Sequence, residues 1–152
     1  MDRSVLVQQI ADNIHWLKRE TQGHLSHTFA SLNVSPAQIE LLKLVREQQP
    51  VSHKELAAQA RLTPGAVSQL LDGLEQSGSI TRTESPTDRR VSLVSLSDEG
   101  EHTLHKAKEL FMRTFMNAFE SLDDDELLAY QRAQKKLIAW HEANCTKPTN
   151  QE

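Results

Sequence analysis

The side chains of this chain that could do chemistry are cations and amides rather than nucleophiles. Arg89 and Arg90 follow Asp88 in the run Ser85-Pro86-Thr87-Asp88-Arg89-Arg90. That composition makes a turn, and it lies between two stretches of β-forming residues. An arginine held at the tip of such a turn can enter the minor groove of duplex DNA, where narrow A·T-rich segments concentrate negative potential. Asp88 cannot bind phosphate; its expected part is to pair with an arginine and fix its direction. The bland alternative is a surface ion pair worth at most about 1 kcal/mol. Arg82, on the preceding strand, could reach a phosphate or brace the turn.

A second group surrounds Thr63-Pro64, which reads as a helix start. If Val67, Leu70, Leu71 and Leu74 face inward, then Ser68, Gln69 and Asp72 face outward. A glutamine amide can pair bidentately with adenine, so Gln69 is the best base reader, and Ser68 suits a base or a phosphate. Thr63 caps a helix N-terminus, where backbone N–H groups attract anions. Gly65 and Ala66 offer DNA little beyond close approach, so DNA shape would supply part of the specificity. The alternative for each of these polar residues is ordinary solvated helix surface.

Other chemistry has weak support. His24 and His27, and again His102 and His105, stand three apart on helical segments, the spacing that shares one face. No cysteine or carboxylate signature accompanies either pair, so no metal site and no cofactor is expected. Asp123-Asp124-Asp125-Glu126 reads as helix N-terminal charge. Glycine-rich phosphate loops, nucleophile elbows and HExxH patterns are missing, and an enzyme is not expected.

The 152 residues suit one domain with extensions, and 38% hydrophobic with 25% charged residues describes an ordinary globular chain. Apolar runs are too short to span a bilayer, and the N-terminus lacks the apolar core of a secretory signal. The one cysteine, Cys145, excludes an internal disulfide framework, so a reducing cytoplasm is expected. A net charge of −4 runs against nucleic-acid binding. The charge is uneven, however. Residues 51–95 balance Lys54, Arg61, Arg82, Arg89 and Arg90 against Glu55, Asp72, Glu75, Glu84 and Asp88, and the deficit lies outside them. Any DNA contact must come from a few placed cations.

The positioning elements follow from periodicity. Leu6, Ile10, Ile14, Leu17, Leu25, Phe29 and Leu32 predict an amphipathic helix over about 5–30, with Gly23 a weak point and an end near Asn33. Ser35-Pro36-Ala37-Gln38 and Ser52-His53-Lys54-Glu55 are capping boxes that open two more helices. Ile80–Glu84 and Val91–Leu96 predict a hairpin. Ser97 opens a long helix carrying Leu104, Phe111, Phe115, Ala118 and Leu122, and Ser121-Leu122-Asp123-Asp124 starts a last one. The tail 146–152 is expected to be loose. The end helices carry apolar stripes longer than the small head can cover, which favours packing between two subunits over folding back on one.

Leu56, Ala57, Ala60, Leu62, Val67 and Leu70 have the spacing of a helix-turn-helix, in which Ala57 permits a close crossing. Arg61 stands where glycine is often found, which asks its backbone for an awkward conformation. From Leu62 to Gly100, LTPGAVSQLLDGLEQSGSITRTESPTDRRVSLVSLSDEG resembles the MarR family of winged-helix regulators, and the flanking helices fit that layout over essentially the whole chain. The resemblance implies a mainly α fold with a small β-hairpin wing. In it, residues 35–97 form a winged helix-turn-helix head, and 5–33 and 98–145 form dimerisation helices. It further implies a homodimer on a pseudo-palindromic double-stranded operator, with Arg90 inserted in the groove, Asp88 as its brace and Arg89 nearer the backbone. It also implies a repressor released by a small aromatic or anionic ligand. His15, Trp16, Arg19, Phe111 and Phe115 are of the types to line that ligand's crevice, although core packing and surface charge explain each one individually. Oxidant sensors of the family keep a cysteine in the first helix, and this chain has none there. The rivals are a winged helix that binds protein through its wing, and a metal-sensing regulator of the same fold.

Overall fold

The computed structural model describes residues 2–145. The expected tail at 146–152 lies outside the described residues. Six helices and three short strands follow in the order α1 (Arg3–Ala30), α2 (Pro36–Gln48), β1 (Val51–Ser52), α3 (His53–Ala60), α4 (Pro64–Gln76), β2 (Ile80–Glu84), β3 (Ser92–Leu96), α5 (Asp98–Phe119) and α6 (Asp124–Cys145). None of the described helices is long and apolar enough to cross a membrane. The chain divides into two compact units, one running to Phe111 and the other starting at Met112.

The first unit holds the core. Phe29 of α1, Ile39, Leu41, Leu42 and Val45 of α2, Val51 of β1, and Leu56 and Ala57 of α3 bury together. Val67, Leu71 and Leu74 of α4, Ile80, Val94, Leu104 and Ala107 of α5, and Val34 preceding α2 complete the cluster. Each short helix starts on a cap made within three residues. Ser35 accepts from the Gln38 N–H while the Gln38 side chain accepts from the Ser35 N–H, and Ser52 and Glu55 repeat the arrangement. Such caps satisfy donors that a helix leaves orphaned at its start. Gly23 does not interrupt α1. The break comes later, where Asn33 adopts a left-handed φ of 54°.

The predicted hairpin forms in register, with Ile80 opposite Leu96 and Glu84 opposite Ser92. Val91 falls just outside the second strand. It closes the turn instead, as Ser85 N–H donates to its carbonyl and its own N–H donates to Asp88. A third strand was not expected: β1 pairs antiparallel with β3, Val51 opposite Val94, so β3 is central. At the far end of the sheet, α5 begins in a tight node. Ser97 Oγ donates to the Gly78 carbonyl at 2.5 Å and accepts from the Gly100 N–H at 3.1 Å. A Cβ on Gly100 would lie 2.1 Å from the Ser79 carbonyl oxygen. Only glycine fits there.

In the second unit, Phe119 stacks between Phe115 and Tyr130 with ring centroids 5.9 Å apart on both sides. α6 is capped by Asp123, whose carboxylate accepts from the Glu126 N–H at 2.8 Å while Glu126 accepts from the Asp123 N–H. Leu122, expected on the helix before, lies beyond the end of α5. The end helices expose their apolar stripes: Leu6, Ile10, Ile14 and Leu17 on α1, and Leu137, Ile138 and Trp140 on α6.

Candidate nucleic-acid interface

α3 and α4 form the expected helix-turn-helix. Leu56 and Val67 are fully buried, and Ala57, at 6% exposure, lies in the same core, where a larger side chain would push the helices apart. Arg61 ends α3 in the left-handed region, φ 53° and ψ 38°, while its N–H donates to the Ala57 and Ala58 carbonyls. A non-glycine residue there costs about 1–2 kcal/mol. Leu62 departs from the expected buried set and is 40% exposed. It follows the left-handed residue directly, and the turn carries its side chain outward.

Thr63 caps α4 by accepting from the Ala66 N–H at 3.2 Å. Val67, Leu71 and Leu74 bury the inner face of α4, with Leu70 partly buried beside them. Ser68 is half-buried, while Gln69 and Asp72 are exposed on the opposite side. Asp72 also has a partner within the chain. Its Oδ1 lies 2.6 Å from Arg82 Nη2, and Glu75 Oε2 lies 3.2 Å from Arg82 Nε. The second contact has ion-pair distance without hydrogen-bond alignment, so the buried Nε–H has no acceptor. Arg82 therefore faces α4. The sequence reading missed Glu75. Its signal was the three-residue step from Asp72, which puts two carboxylates on one helix face opposite a single strand arginine.

At the wing tip, Asp88 Oδ1 accepts from the backbone N–H of Arg90 at 3.0 Å. Asp88 was expected to pair with an arginine side chain, and it holds the backbone of Arg90 instead. Neither Arg89 nor Arg90 enters an ion pair among the described residues, and both are exposed. Their charge is thus free for a polyanion. Below the tip, Ser85 is buried and its hydroxyl meets Thr87 Oγ1 at 3.1 Å, fixing the turn against the strands.

The candidate crevice residues fall in both units. His15, Trp16 and Arg19 are exposed on α1, with Arg19 paired to neighbouring Glu20 at 3.1 Å. Phe111 packs on the core of the first unit, and Phe115 stacks on Phe119 in the second. A crevice of about 530 Å³ in the second unit is lined by Phe119, Leu127, Leu128, Tyr130 and Gln131 among others, and by none of those five. No group of three or more metal-ligating side chains gathers among the described residues. His105 instead lies 3.3 Å from Glu109, one helical turn on.

Residues 34–92 match the model of the MarR family. The HTH-type transcriptional repressor MdtR of Bacillus subtilis (strain 168) is 31% identical over 96 residues, 63% of this chain and 62% of that protein. Matches at this level of identity span about half to two thirds of the relatives' lengths. Among solved structures, YusO from Bacillus subtilis superposes with a TM-score of 0.78 at 25% identity, covering 91% of this chain and 99% of that one. A mutant MarR from E. coli complexed with operator DNA gives 0.69 at 22% identity, covering 90% and 99%, and speaks for the fold alone.

Proposed function

We propose that this chain is a cytoplasmic transcription regulator of the MarR family, whose model matches residues 34–92, and that it binds double-stranded DNA as a homodimer. The observation that carries the reading is the Arg82 link. It ties β2, the strand that leads into the wing, to α4, the helix that carries Gln69 and Ser68. One packed unit then carries a helix surface able to read base edges and a loop with two unpaired arginines. Gln69 reads a base, Ser68 meets a base or phosphate, and Thr63 directs the start of α4 at the backbone. Arg90 enters the minor groove from a tip shaped by Asp88, and Arg89 stays near the phosphates. Asp72 stands on the same outward side, paired with Arg82. Two copies would place their α4 helices about 34–36 Å apart to meet successive major grooves of a pseudo-palindromic operator.

The mode of action is repression by promoter occlusion, relieved by a small aromatic or anionic ligand. The exposed apolar stripes of α1 and α6 support self-association, because exposed residues of this size and number mark an interface. The test is a mobility shift on the DNA flanking its own coding region, with and without phenolic ligands. Arg90→Ala is expected to weaken binding to every duplex and to reduce the salt slope by about one ion. Gln69→Ala is expected to erode discrimination between operator variants instead. Binding indifferent to Arg90→Ala would return the wing to a protein-contact role.

A further inference from the structure

α4 presents a problem to any DNA that approaches it. Its sequence, PGAVSQLLDGLEQ, holds two charged side chains, Asp72 and Glu75, and both are negative. Asp72 follows Ser68 by four positions and Gln69 by three, so it lies on the same outward side. A carboxylate there would stand within about a Debye length, roughly 8 Å at physiological salt, of the phosphates flanking the groove. Both carboxylates lean on one guanidinium. Arg82 Nη2 meets Asp72 at 2.6 Å and Nε meets Glu75 at 3.2 Å, while the cation is the least exposed of the three, 28% against 62% and 47%. The positive charge therefore sits beneath the two negative ones, between the helix and the strand that leads into the wing.

We propose that Arg82 is a positioning residue that neutralises the acidic side of α4 and so makes it acceptable to a polyanion, a role that rests on the DNA-binding reading above. Arg82 touches no base and no phosphate in this account; it acts through Asp72 and Glu75. The arrangement is sharper than simple bracing, because its effect on DNA is electrostatic. Removing the cation leaves two carboxylates aimed at the duplex. Removing the Asp72 charge as well removes most of the repulsion, even though the tie between α4 and β2 stays broken.

The experiment measures binding of the full chain to the duplex upstream of its own coding sequence, as a function of salt. Arg82→Met is expected to weaken binding about tenfold at low salt, with the difference from the unaltered protein shrinking as salt screens the carboxylates. Adding Asp72→Asn to Arg82→Met should restore affinity to within about threefold of the unaltered protein. Arg82→Lys, which keeps a cation in place and is the variant to rely on should the methionine protein fail to fold, should also stay within about threefold. Failure of Asp72→Asn to rescue, a salt-independent loss, or an Arg82→Lys defect as large as that of methionine would each overturn the proposal in favour of a shape effect. If the unaltered protein binds no duplex, the DNA-binding reading falls first and takes this one with it. If it binds but ignores the Arg82 and Asp72 exchanges, only this one falls.

Discussion

In the head, Leu42, Leu56, Val67, Leu71 and Leu74 have no exposed surface, whereas on α1 the residues Val5, Leu6, Val7, Ile10, Ile14, Trp16 and Leu17 are each 44–55% exposed. α6 resembles α1: Leu137 and Trp140 are 61% exposed, and no residue between Asp124 and Asn144 is buried. Apolar content does not separate the two regions, since both use leucine and isoleucine at helical spacing. They differ in what covers those residues. In the head, three short helices and a small sheet close over one another. Along the end helices, no described residue of the same chain covers the stripe. The head is therefore stable by its own contacts, whereas under the homodimer proposed above the end helices would gain theirs by association.

The largest expected effect tests that division directly. Leu56→Ala should lower stability by about 3 kcal/mol through the cavity it leaves, and the loss should not vary with protein concentration. Leu137→Ala should lower the thermal midpoint in a concentrated sample and lose that effect on dilution, as a shared interface requires. If Leu137→Ala costs less than about 0.5 kcal/mol at every concentration, the end helices are not an interface.

Gly100→Ala comes next. Its methyl would meet the Ser79 carbonyl oxygen, so a loss of about 2 kcal/mol in denaturant unfolding is expected. A loss independent of concentration would assign the start of α5 to the head. Arg61→Gly should act in the opposite sense, stabilising the head by about 1 kcal/mol through relief of the left-handed backbone. If it lowers DNA affinity at the same time, the arginine is retained for charge and not for stability.

The smallest effect is a pH dependence. Hydrogen bonds to Glu55 from the Ser52 hydroxyl, and next from the Ser52 N–H, hold its carboxyl below its ordinary value of 4.5. A lowered folded-state value contributes stability above the unfolded one, and this is lost as pH falls through the folded value. The capping contribution should therefore be complete at neutral pH and fade below about 4.5. Ser52→Ala, which removes the hydroxyl but keeps the backbone N–H, should reduce that slope in acid unfolding curves. A slope unchanged by the substitution would place the acid sensitivity elsewhere.

Local signals made most of the head legible before any coordinates. Both capping boxes are formed by residues three apart, and both strands of the hairpin showed in their β-branched composition. The strain at Arg61 was readable because a non-glycine residue fills a turn position that wants positive φ. What escaped was set by contacts distant in the chain. β1 is two residues long, too short for any alternation, and exists only because β3 comes to lie beside it. Asp72 and Arg82 each looked free for DNA, because their pairing joins a helix to a strand across the turn at Gly78. Asp88 was expected to hold a side chain and holds a backbone N–H instead, a choice that depends on the turn's dihedral angles. The exposure of Leu62 follows equally from the direction in which one left-handed residue sends the chain.

The strand order β1-β3-β2 also bears on how the molecule comes into being. The strand made last is the keystone, since the two earlier ones bond to it and not to each other. As the polypeptide leaves the ribosome, helices α2 to α4 can cap themselves as they emerge, but no ladder can zip until Leu93 and Val94 arrive. A message truncated ahead of Ser92 would thus yield capped helices and a floppy, edge-exposed Ile80–Glu84 segment, the kind of nascent product that quality-control proteases find first.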